Sequence, residues 1–238
     1  METIDFKNIR DKISNISNIL NKEKYNKGNK LNRRISVVLR SFYDIETIFT
    51  RLERNIFLFE RNEREIQKEN NINNTINELG QILRKKSEAI NRENSLDLKC
   101  LYIFIKIFLD DFTELFRSLY DWRDIGDRSI TKFYNKLKVY SGDDERVKKF
   151  KDKNLPMLKE IIDSIVNYRN VDIVHNQKKH KQCTWFMSDM RHNVKQVACS
   201  KTDEEIVESS SLNQGELINM LFDYINSCLF FIENNLDN

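Results

Sequence analysis

Ser95-Leu96-Asp97-Leu98-Lys99-Cys100-Leu101-Tyr102-Ile103-Phe104-Ile105-Lys106-Ile107-Phe108-Leu109-Asp110-Asp111-Phe112-Thr113-Glu114-Leu115-Phe116-Arg117-Ser118-Leu119-Tyr120 is the most apolar stretch of the chain. Leu98, Leu101, Ile105, Phe108, Phe112, Leu115, Phe116 and Leu119 recur three or four residues apart, the spacing that stacks side chains on one face of a 3.6-residue helix. The segment is expected at the centre of the core, its aromatic residues serving as filler rather than as a cofactor box. Its most hydrophobic part, Leu101 to Leu109, contains Lys106 and runs into Asp110-Asp111. It is too short to span a bilayer.

The same periodicity extends outward. A first helix is predicted from about Ile4 to Leu20 on Ile9, Ile13, Ile16 and Ile19/Leu20, followed by a loop over Asn21 to Lys30. A second, from Leu31 towards Arg54 or beyond, carries Ile35, Val38, Leu39, Phe42, Ile45, Ile48, Phe49 and Leu52. The polar stretch Arg61 to Asn74 is either an exposed continuation of that helix or a mobile connector to a helix near Ile76 to Ile90, and its paired asparagines favour a break. Asp121 to Ser129 reads as a loop, and Ile130 to Tyr140 as a helix ended by Ser141-Gly142. Lys153-Asn154-Leu155-Pro156 reads as a helix start, with Asn154 or the next residue as cap and the proline in the first turn. The stripe Leu158, Ile161, Ile162, Ile165, Val166 comes next. Residues Cys183 to Cys199 lack a helical stripe and fit a small β-hairpin or an ordered loop. An acidic, serine-rich connector then leads to a last helix, about Leu212 to Leu236.

Only five Gly and one Pro, Pro156, interrupt 238 residues rich in helix formers. An all-α, up-and-down helical bundle forming one domain over residues 1–238 is therefore expected, with a small insert near 183–199. Charged residues make up 32% of the chain, yet the net charge is only +3. No global positive field marks a duplex-binding protein, so any nucleic-acid contact must be local. Basic density peaks at Lys148-Lys149-Phe150-Lys151-Asp152-Lys153 and at Lys178-Lys179-His180-Lys181. Such runs are either solvated faces or phosphate-steering patches. Four cysteines, Cys100, Cys183, Cys199 and Cys228, are widely spaced, and Met1-Glu2-Thr3-Ile4-Asp5 is polar at once. A cytoplasmic location with reduced thiols and no membrane association is the expectation.

Between the two basic runs lies Tyr168-Arg169-Asn170-Val171-Asp172-Ile173-Val174-His175. It places a permanent cation, an amide and an imidazole within two turns of a predicted helix. Those groups suffice to cut RNA without a metal: an imidazole can take the proton of a ribose 2′-hydroxyl, a guanidinium can hold the phosphate, and an amide can orient either. Arg169 and Asn170, with His175 after five intervening residues, resemble the Arg, polar, His motif of the HEPN superfamily, in which four to six residues separate Arg and His. The resemblance is to stand-alone bacterial HEPN proteins of abortive-infection and toxin–antitoxin settings. It implies a helical bundle, a homodimer whose two motifs face each other, RNA as substrate, and a possible antitoxin or regulatory protein as partner.

On an ideal helix at about 100° per residue, Arg169 and His175 point roughly 120° apart. One straight helix cannot aim both at one phosphate, so either the helix ends or bulges near His175 or a second subunit completes the site. Tyr168 and Asp172 share the face of His175, and Asp172 could orient the imidazole or hold it protonated. The expected roles are His175 as base or acid, Arg169 as phosphate clamp, Asn170 as orienter, and Lys178, Lys179 and Lys181 as RNA-positioning residues. The blander alternative pairs Arg169 with Asp172 or Asp163 and leaves His175 as a helix C-terminal cation.

A zinc site from His180, Cys183, His192 and Cys199 is conceivable, but only His180 and Cys183 have the close spacing of paired ligands. There is no glycine-rich phosphate loop, no glycine-flanked nucleophilic serine and no His-Glu-x-x-His run. The expected function is thus a metal-independent endoribonuclease without a cofactor, a toxin or antiviral-defence effector leaving 2′,3′-cyclic phosphates. The alternatives are a non-catalytic HEPN-type binding module and an unrelated helical interaction protein.

Overall fold

The computed structural model describes residues 4–22, 28–73, 78–166, 182–187, 194–199 and 214–235. It is an all-α helical bundle. The helices are α1 (Phe6–Lys22), α2 (Gly28–Asn73), α3 (Glu78–Tyr120), α4 (Ile130–Lys138), α5 (Glu145–Ile161) and α6 (Gln214–Asn235). A π-helical turn, Ile162–Val166, directly continues α5. Strands β1 (Gln182–Met187) and β2 (Val194–Cys199) pair antiparallel, from Gln182 opposite Cys199 to Met187 opposite Val194.

The backbone of the bundle is the pair α2 and α3, of 46 and 43 residues. Polar contacts between them join Arg34 to Glu114, Ser41 to Asp111, Arg51 to Asp97, and Asn55 to Glu93, so residue numbers rise on one helix as they fall on the other. The two helices are antiparallel neighbours. α1 and α6 close one side through Phe6, whose ring centroid lies 5.7 Å from Phe42, 5.4 Å from Phe49 and 5.2 Å from Phe222. Phe116, Tyr120, Trp122, Phe150 and Phe231 form a second aromatic group that joins α3 to α5 and α6. One continuous apolar cluster draws on all six helices and the π turn.

Residues 53–97 supply nothing to that cluster among the described residues. Here α2 and α3 run on as a paired extension whose buried positions include polar Asn55, Ser87 and Asn94, while Phe57, Leu79, Ile82 and Leu96 are exposed. Of the two alternatives for Arg61 to Asn74, the helix continuation holds: α2 passes through Asn70-Asn71 and ends at Asn73, in the second asparagine pair. Glu60 and Arg64 form an ion pair along the helix, as do Glu65 and Lys68, in a stretch of strong helix formers free of Gly and Pro. The predicted helices near 76–90 and 95–120 are likewise one element, α3.

The Asp121–Ser129 loop is set by two left-handed residues. Asp121 has φ 59° and ends α3, with the Trp122 amide closing onto the Arg117 carbonyl at 2.9 Å. Gly126 has φ 77°, and a Cβ there would stand 2.7 Å from Cα of Phe133. The loop lies too close to α4 for any side chain.

Candidate functional site

The helix leading to the Arg169 motif begins earlier than the sequence indicates. Asp144, not Asn154, is its cap: the Asp144 carboxylate accepts from the Arg146 amide at 2.8 Å, and α5 starts at Glu145. Asn154 is instead fully buried, its Nδ2 donating to the Phe150 carbonyl at 3.1 Å. Pro156 therefore sits inside α5 rather than in a first turn. Its missing N–H leaves a carbonyl unbonded one turn back, at exposed Asp152, where water can satisfy it. Leu158, Ile161, Ile162, Ile165 and Val166 are all buried. They dock α5 and the π turn onto the common core, two residues before Tyr168.

The π turn is the feature of this approach that periodicity could not reveal. The apolar stripe continues through it unbroken, but the backbone widens from i→i+4 to i→i+5 bonding. Insertions of this kind cluster at functional sites, where they re-aim the residues beyond them. Within it, Asp163 accepts from Lys159 Nζ at 2.8 Å, a contact that raises the lysine pKa. Arg169, the other partner considered for Asp163, lies outside the described residues.

The basic run of α5 makes contacts with neighbouring residues. Lys148 bonds Glu145 at 2.8 Å, Lys151 donates to the Tyr140 carbonyl at 3.0 Å, and Lys153 Nζ lies 3.9 Å from the Phe230 ring centroid on α6. Lys149 is exposed. The run therefore forms a largely solvated face of α5 in which Lys148, Lys151 and Lys153 each have a partner. On α6, Tyr224 and Cys228 are buried side by side, and burial pushes both of their pKa values upward. The Cys228 thiol is held in its neutral form and is no nucleophile.

No family model matches the chain. No curated protein and no solved structure matches it either.

The expected site residues Tyr168, Arg169, Asn170, Asp172, His175, Lys178, Lys179 and Lys181 lie outside the described residues, as do His180 and His192 of the zinc alternative. Cys183 and Cys199 fall on β1 and β2, where Cys183 stands opposite Ala198 and Cys199 opposite Gln182. The register does not pair them. Among the described residues no helix is long and apolar enough to cross a membrane, and no group of His, Cys, Asp and Glu side chains is arranged to hold a metal ion.

Proposed function

We propose that the chain is a metal-independent endoribonuclease of the HEPN type, acting as a homodimer. What carries this assignment is the motif of Arg169, Asn170 and His175, with five residues between Arg169 and His175, placed in sequence after a buried helix and before the last described helix of an all-α bundle. Arg169 holds the phosphate and the charge that develops on it, His175 moves the proton of the attacking 2′-hydroxyl or of the leaving oxygen, and Asn170 orients one of them. Asp172 and Tyr168 support the imidazole, and Lys178, Lys179 and Lys181 position the RNA strand. Because Arg169 and His175 diverge on a straight helix, two copies related by a two-fold axis supply one composite cleft. The π turn at Ile162–Val166 ends shortly before the motif and supports this reading, since such turns are frequent at functional sites. A toxic or antiphage role, restrained by an antitoxin or another regulatory protein, is the biological setting that fits such an activity.

The nucleophile in this scheme is the substrate's own 2′-hydroxyl. An RNA oligonucleotide and its all-deoxy counterpart, offered at equal concentration, test it: RNA is cut and the deoxy strand is left whole. Equal cleavage of both strands would overturn the mechanism.

A further inference from the structure

A cavity of about 360 Å³ opens where α2 begins and α3 ends, far along the sequence from residues 168–181. Its walls carry Lys30 and Arg34 from α2, Glu114 and Arg117 from α3, and Asp121 and Arg123 from the loop beyond. Four cations against two carboxylates leave a net charge of +2 in one concave site. The central contact is Glu114, whose carboxylate is shared between two guanidiniums: Arg34 Nη2 at 2.7 Å and Arg117 Nη1 at 2.8 Å. One carboxylate neutralises one of them. Asp121, turned by its left-handed backbone, balances Arg123 at 2.9 Å.

The cations differ in what remains free. Arg117 is fully engaged, donating also to the Trp122 carbonyl at 3.3 Å and the Arg123 carbonyl at 2.9 Å. It is the frame of the site. Arg34 uses only Nη2 on Glu114, and its Nε is buried without a hydrogen-bond partner. A buried donor left unpaired is costly, and here it belongs to a permanent cation at a cavity wall. Lys30 is exposed at the rim. At the cavity wall, Arg34 thus shares its only carboxylate with Arg117, and the Lys30 ammonium stands exposed at the rim.

We propose that this cavity binds a small anion carrying a terminal phosphate or diphosphate, with Arg34 as the principal contact, Lys30 closing the rim, and Glu114 and Arg117 holding Arg34 in place. The charge selects the ligand: a phosphomonoester carries close to two negative charges at neutral pH, matching the net +2, whereas an internal phosphodiester carries one. The volume accommodates more than a bare phosphate, so the terminal group of a nucleotide-sized molecule fits. The site is built from residues outside the ribonuclease motif, and the proposal does not rest on that motif.

Titration calorimetry of the full chain with inorganic pyrophosphate tests this. Saturable one-to-one binding is expected, weakening as salt is raised. Arg34→Gln should lower the affinity about 10-fold or more, and Lys30→Ala about 3-fold to 10-fold, with the helical circular dichroism unchanged. Lys30 is exposed, so that variant keeps the test valid even if Arg34→Gln unfolds. A second arm compares a nucleoside 5′-monophosphate, its unphosphorylated nucleoside, and a 5′-phosphorylated RNA oligomer. Binding that requires the phosphate supports the site, and the tighter of the two phosphorylated forms identifies its source. No saturable binding of pyrophosphate, or affinity unchanged in both variants, would overturn the proposal.

Discussion

Phe150 tests whether the helix leading to the motif is held by the core. Its side chain is fully buried, with ring centroids at 4.8 Å from Phe116, 5.6 Å from Trp122, 6.0 Å from Phe133 and 5.2 Å from Phe231. Phe150→Ala removes the ring that α3, α4, α5, α6 and the Trp122 loop share. Truncating a buried Phe costs ~3–5 kcal/mol, of which the aromatic pair geometry is one part. A domain stable by ~5–15 kcal/mol would lose about a fifth of that or more. For a chain of this size the melting temperature should fall by about 6–20 °C. The control is Phe57→Ala, the same substitution at a side chain 61% exposed on the α2–α3 extension, which should cost no more than ~0.5 kcal/mol. Urea unfolding followed by circular dichroism measures both. Equal losses in the two variants, or a Phe150→Ala loss under ~1 kcal/mol, would refute this account of the packing.

Asp144→Asn should destabilise the protein by ~0.3–1 kcal/mol at neutral pH: asparagine can still cap α5, but the carboxylate charge beside Arg146 and the helix N-terminus is lost. Burial works to raise the Asp144 pKa, but the side-chain and backbone hydrogen bonds of Arg146 outweigh it and the net shift is downward. A depressed folded pKa gives a stabilisation present above the unfolded value and lost as pH falls through the folded one. Melting curves of wild type and Asp144→Asn should accordingly converge below the usual carboxylate range, and a gap that persists there would contradict it. Asp97 is 3% exposed and held by the Arg51 guanidinium, so Asp97→Ala should cost ~1–3 kcal/mol in chemical unfolding. Lys159→Ala, breaking an exposed pair with Asp163, should cost no more than ~0.5 kcal/mol. In native protein a maleimide should leave Cys228 unmodified and reach it only after denaturation, as peptide mapping would show, because burial keeps the thiol neutral and enclosed.

The helical class was legible because Leu98 to Leu119 repeats at one period, and every residue of that stripe is buried. Element ends were less so. Arg61 to Asn74 has the composition of a connector, yet α2 runs through Asn70-Asn71, with ion pairs along the helix in support, and ends only at Asn73, within the second asparagine pair. Lys153-Asn154-Leu155-Pro156 imitates a helix start, but Asp144 lies upstream with a better-placed carboxylate, and the solvent side of α5 tolerates the proline. The π turn left no trace in the apolar pattern, since Leu158 to Val166 keeps helical spacing through it. The cationic cavity was invisible for another reason: Lys30, Arg34, Arg117 and Arg123 are ordinary surface residues in sequence, and only the antiparallel α2–α3 pairing gathers them. The Arg169 to His175 motif was read from residue type and spacing alone.

The ribonuclease assignment therefore turns on one measurement: incubation of purified wild type and His175→Ala with labelled mixed RNA in excess chelator, and then analysis of product ends. Wild type alone should yield 2′,3′-cyclic phosphate and 5′-hydroxyl ends, with the variant still folded. Undiminished cleavage by His175→Ala, cleavage abolished by the chelator, or no cleavage by either protein would contradict it.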